Sequence, residues 1–95
     1  MHVVSHPEAD QELKAGALWY EERQPGLGDD FIDEFEHTLR RIVAEPERGR
    51  TMRGDNRKLN FRRFPYALVY SVRADVIYIK AVAHLHRRPF YWQHR

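Results

Sequence analysis

Apolar residues in this chain change their spacing once, near residue 57, and that change limits the possible folds more than any other feature. Before it they recur every three or four positions; after it they alternate. The first period places side chains on one face of a helix and the second on one face of a strand. Ala9, Leu13, Gly16, Ala17 and Tyr20 form such a stripe from Pro7 to about Arg23, while Glu8, Gln11, Lys14, Glu21 and Glu22 fall elsewhere around the axis. A second stripe of Phe31, Ile32, Phe35, Leu39, Ile42 and Val43 is broader and better separated from Asp33, Glu36, Arg40 and Arg41. Beyond it, Lys58 to Arg63 carries Leu59 and Phe61 on one side. Tyr66 to Val72 sets Tyr66, Leu68, Tyr70 and Val72 against Ala67 and Val69, and Val76 to Ala83 is apolar on both faces. That last pattern predicts an interior strand covered on one face by the helices.

Punctuation along the chain agrees with these periods. Ser5 or His6 precedes Pro7 and Glu8, a combination that starts helices because Pro lacks only an N–H that the first turn leaves unpaired. Pro25, Gly26 and Gly28 break the first helix from the second. Asp29 and Asp30 stand where the positive end of the second helix dipole favours acid, and Pro46 closes that helix. Two helices joined by so short a loop pack as an antiparallel hairpin. Small residues at Gly16 and Ala17 fit a close packing contact. A loop with Gly49 and Gly54 runs from Pro46 to about Asn56, and Arg73, Ala74 and Asp75 predict a tight turn between the last two strands. His2 to Ser5 is a short edge strand, and His84 to Arg95 has no period. The expectation is one α+β domain over residues 1–95: a short N-terminal strand, then an antiparallel two-helix hairpin packed on an antiparallel β-sheet.

Charge is as uneven as hydrophobicity. Residues 1–47 hold 4 basic and 12 acidic side chains and residues 48–95 hold 12 basic and 2 acidic, although the formal net charge is only +2. A block so basic attracts polyanions, whether nucleic acid, ribosome or an acidic protein. The absence of cysteine removes disulfides, thiol nucleophiles and cysteine-held metal, which suits the cytoplasm. No run of apolar residues approaches a membrane span, and Met1 to Val4 is too short for a signal segment.

Two stretches bring this layout to a known group. Arg63-Phe64-Pro65-Tyr66-Ala67-Leu68-Val69-Tyr70 and His84-Leu85-His86-Arg87-Arg88-Pro89-Phe90-Tyr91-Trp92, with Glu45-Pro46 and Gly49 before them, resemble the conserved strand entry, tail and loop of the RelE/ParE toxin superfamily. The resemblance implies that superfamily's fold and the toxin role of a type II toxin-antitoxin pair, with a cognate antitoxin as partner in a heteromeric complex and no cofactor or metal. Members that cleave messenger RNA on the ribosome carry arginine directly after the tyrosine that opens the strand, where it stabilises charge on the phosphate. Here that position is Ala67, Lys58 matches one of two strand lysines while Asn60 stands at the other, and His86 and Trp92 take the places of a tail arginine and tyrosine. The chain is therefore more similar to the ParE branch of plasmid stabilisation toxins, which is associated with inhibition of DNA gyrase by binding.

Three sets of candidate residues follow. Arg87, Arg88, Tyr91, Trp92 and Arg95 would form the target-binding surface, since arginine and large aromatics anchor protein interfaces; the competing reading packs Trp92 onto the sheet and leaves the arginines solvated. Leu18 and Trp19, off the first helix's apolar stripe, with Arg62 and Arg88, would receive the antitoxin. For a nuclease, Arg63, His84, His86 and Arg87 hold the base, acid and cation that attack by a ribose hydroxyl requires; alternatively His84 simply ends a strand.

Overall fold

The computed structural model describes residues 1–95. After strand β1 (His2–Ser5), helix α1 (Pro7–Arg23) starts where Pro7 fills the first turn and His6 Nδ1 accepts the Glu8 N–H at 3.1 Å. Helix α2 (Leu27–Ala44) has no side-chain cap of its own. Glu21 near the end of α1 supplies one instead, accepting the N–H of Gly26 at 3.0 and 3.1 Å and that of Gly28 at 3.0 Å. One carboxylate thus neutralises the positive end of α2 and ties the hairpin together. Gly26 sits at φ +90°, a conformation costly to any residue with a Cβ, which is why the two helices reverse within three residues. The small-residue contact takes the expected form: a Cβ on Gly16 would lie 2.8 Å from the Phe31 ring, and one on Gly28 would lie 2.7 Å from the Ala17 carbonyl.

Strands β2 (Arg50–Thr51), β3 (Asn56–Asn60), β4 (Tyr66–Arg73) and β5 (Val76–His84) complete a five-stranded sheet in the order β1-β5-β4-β3-β2. Two features depart from expectation. The sheet is mixed, not antiparallel, because β1 pairs parallel to β5 from His2↔Val76 to Ser5↔Ile79. Apolarity and alternation carry no information about strand direction, and here the whole chain from α1 to β4 forms the connection that a parallel neighbour needs. The expected loop from Pro46 to Asn56 also contains β2, whose two residues are too few to show a period.

The helices cover one face of the sheet. Phe31 and Ile42 of α2 and Ala9 of α1 pack on Phe61, Leu68, Tyr70, Ile77, Ile79 and Val82, joined by Leu13, Ala17, Tyr20, Phe35, Leu39 and Leu59 at the margins. Tyr70 is fully buried, yet its hydroxyl donates to the Pro46 carbonyl at 2.8 Å and accepts the Gly49 N–H at 2.9 Å. This pins the loop after α2 to the sheet and satisfies a polar group that burial would otherwise penalise. On the other face Val69, Ala81 and Ala83 form a smaller core with Trp92, brought there by a register shift between Val69 and Tyr70 and by the turns after β5. No helix is long and apolar enough to cross a membrane.

Candidate functional site: the tail and the groove beside the first helix

Residues 85–95 form successive turns that bring the C-terminus back across the second face of the sheet. Phe90, at φ +61°, redirects the chain so that Trp92, 3% exposed, lies on Val69, Ala81 and Ala83. Phe90 packs edge-on to Trp92 and carries the Arg53 guanidinium 3.8 Å above its ring. Arg87 lies 4.0 Å over the ring of Tyr91, while Arg88 is exposed and forms no ion pair.

The tail is fastened to the first helix by one residue. Glu12, on α1, accepts the Tyr91 hydroxyl at 2.7 Å and both terminal nitrogens of Arg95, at 2.9 and 3.2 Å. Its Oε1 also accepts the Val82 N–H of β5 at 3.0 Å, and Arg95 donates to the Lys80 carbonyl at 3.0 Å. β1 pairs with β5 only as far as Ile79, so these bonds occupy backbone groups that would otherwise form an open strand edge. Burial, with the Glu12 carboxylate beside it, raises the Tyr91 pKa far above the ordinary phenol value, so Tyr91 is a permanent donor here. Burial opposes charge on Arg95, but the bond to Glu12 and the fields of Glu12 and Glu8 outweigh it and its pKa is raised. Arg95 is a fixed cation between two helix carboxylates.

Beside this clasp lies a groove of about 460 Å³, lined by Ala15, Gly16, Trp19, Tyr20, Tyr66 and Val82 with Glu12, His84 and Arg87 at its polar end. Leu18 is 60% and Trp19 50% exposed, the two most exposed large apolar side chains of the chain. Trp19 is nevertheless held: Arg23 stacks 3.4 Å above its ring and bonds its carbonyl, and Tyr20 meets its edge.

The expected site residues are thus sorted by the fold. Of the target-binding set, Arg87 and Arg88 are exposed on the tail, whereas Trp92 is buried and Tyr91 and Arg95 are engaged with Glu12. Trp92 follows the competing reading and serves as packing. Of the antitoxin-binding set, Trp19 lines the groove, whereas Leu18 is exposed and is not among its lining residues. Arg62 stands apart, its N–H held at 3.0 Å by Glu34 of α2. Arg62 also helps lower the pKa of Arg41, where burial is the larger cause and Arg48 a further cation. Of the nuclease set, His84 and His86 have ring centroids 5.3 Å apart, and His84 Nδ1 accepts the His86 N–H. His84 shares the groove with Arg87, but Arg63 turns away to Asp30 at 3.6 Å and lies over Phe64. No group of three or more His, Asp or Glu is close enough to hold a metal ion.

Glu12 is the residue that pattern reading missed. In the sequence it is one more acid on an amphipathic helix, and its partners Val82, Tyr91 and Arg95 lie 70 to 83 positions away. Only the folded register brings them together.

A family model described as the ParE toxin of the type II toxin-antitoxin system parDE matches residues 3–89. No curated protein matches the chain. Among solved structures, the chromosomal ParDE toxin-antitoxin system from P. aeruginosa superposes with a TM-score of 0.79 at 19% identity, over 90% of this chain and 97% of that one. At that identity the likeness is one of fold.

Proposed function

The chain belongs to the ParE toxin family and is the toxin component of a type II toxin-antitoxin system, with an antitoxin as its partner; from this premise we propose that it acts in the cytoplasm by binding and blocking a cellular machine, DNA gyrase, through its tail. The observation that carries binding over cleavage is the state of the second sheet face. Ala67, which by sequence stands at the position of the catalytic arginine in the messenger-RNA-cleaving relatives, is fully buried, and Trp92, which by spacing stands at that of their tail tyrosine, is packed on the sheet. A buried methyl group and an indole in van der Waals contact offer no cation and no proton to a scissile phosphate.

Arg87 and Arg88 are the contact residues in this reading, with Tyr91, Trp92 and Arg95 as the docked base from which they project. Arg87, stacked on Tyr91, suits a protein partner because part of its side-chain freedom is already lost before association, and Arg88 adds an exposed charge beside it. The antitoxin covers the exposed Leu18 and Trp19 and fills the groove that Trp19 lines, its acidic groups meeting Arg87 and Arg88 and, at a separate point, Arg62. Residues 1–95 work as one domain in this scheme. Induced expression without the antitoxin arrests growth, and the purified protein inhibits gyrase supercoiling at micromolar concentration. Unchanged supercoiling removes gyrase as the target, and an Arg87→Ala/Arg88→Ala variant that folds normally and still arrests growth removes the tail as the contact surface.

A further inference from the structure

The contacts of Glu12 extend this reading. Four hydrogen bonds from three residues in two segments converge on one carboxylate: the Val82 N–H from the sheet, the Tyr91 hydroxyl, and two from the Arg95 guanidinium. Only 10% of the Arg95 side chain is exposed, unusual for an arginine, whose charged end ordinarily stays in water. Tyr91 in turn is the platform under Arg87. The chain of contacts therefore runs from α1 through Glu12 and Tyr91 to Arg87, with Arg88 next in sequence. Networks of this kind fix one geometry only when every member is present.

We infer that Glu12 is a positioning residue for the toxin's action: by clasping Tyr91 and Arg95 it sets the placement of Arg87 and Arg88, and because it also faces the groove beside Trp19 it links that groove to the tail. The inference rests on the reading above that Arg87 and Arg88 contact the target. It makes the groove a place from which a bound partner can act on the tail without touching it, since any group that competes for the Glu12 carboxylate weakens the clasp.

The test uses Glu12→Gln, whose single oxygen keeps an acceptor for the Val82 N–H, while its amide nitrogen donates where an oxygen now accepts Tyr91 and Arg95, and the charge that holds Arg95 is gone. In a Trp19→Phe background, where Trp92 is the remaining tryptophan, tail release is read from a red shift of its emission. Toxicity is read as the inducer concentration that halves growth. The expected result is a red shift and a toxicity loss of roughly tenfold or more with a cooperative unfolding transition retained. Arg95→Gln is expected to give the same loss and the double variant no further loss, as for two halves of one contact. Ile42→Val, which costs comparable stability in the main core, is expected to leave toxicity within twofold. The inference is overturned if Glu12→Gln arrests growth like the wild type while Arg87→Ala/Arg88→Ala does not, or if Ile42→Val loses as much toxicity, which would reduce Glu12 to a stabilising contact. A toxic Arg87→Ala/Arg88→Ala variant instead defeats the reading on which the inference rests.

Discussion

Tyr70 and Gly49 show how much one atom decides in a protein this small. A Cβ on Gly49 would lie 2.6 Å from the Tyr70 hydroxyl, inside the space of the bond that its own N–H makes. Gly49→Ala should therefore cost about 1–3 kcal/mol by overpacking, read as a lower denaturant midpoint at unchanged slope. Gly49 was legible as a loop glycine, but its reason was not, because the partner lies 21 residues away in a strand. The same holds for the tyrosines. Burial raises the pKa of Tyr20, Tyr66, Tyr70 and Tyr91, so the folded state keeps these protons above about pH 10, where the unfolded chain loses them. Their contribution is complete below that pH and declines as pH rises through it. Tyrosinate absorbance should lag behind that of free tyrosine and then appear together with the loss of circular dichroism. Ionisation of all the tyrosines before unfolding would contradict the burial described here.

The elements differ in how openly the sequence declares them. α2 is plain because its apolar stripe is wide and most of its far side is charged, although Glu34 and Thr38 are buried and Val43 of the expected stripe is exposed. β4 is plain from its period of two, and β5 from being apolar on both faces. The direction of β1 and the existence of β2 are not, since four residues and two residues leave pairing to be decided by the rest of the sheet. The tail is the extreme case: it has no regular element, and its position depends on one inserted indole and one carboxylate. That dependence gives a contrast between the two tryptophans. Trp92→Ala should cost about 3–5 kcal/mol and free the tail, whereas Trp19→Ala, which removes a half-exposed ring, should cost under about 1 kcal/mol and act mainly on antitoxin affinity. Thermal unfolding with calorimetry of antitoxin binding separates the two. Equal losses of stability would mean that Trp92 is not the anchor of the tail.

Across the whole molecule the charge division of the sequence becomes a division in space. The acids sit mainly on the helical layer and the cations on the strands, the loops between them and the tail. Such a particle approaches an acidic partner with a preferred orientation, so the association rate with the antitoxin should fall steeply as salt rises from about 50 to 500 mM while the dissociation rate changes little. Stopped-flow measurement at several ionic strengths checks this, and a salt-independent association rate would rule out steering. The charge division itself was readable from the first pass along the chain. Which cations remain available was not, because Arg63, Arg73 and Arg95 find carboxylates only in the folded state.

The borders of the sheet carry a last consequence. β1 offers four residues and β2 only two, and where β5 runs on past β1, Glu12 and Arg95 already occupy the Val82 N–H and the Lys80 carbonyl. A strand from another copy finds no continuous row of amides to copy itself onto. Such short borders should make the unpartnered chain a poor template for fibres of itself.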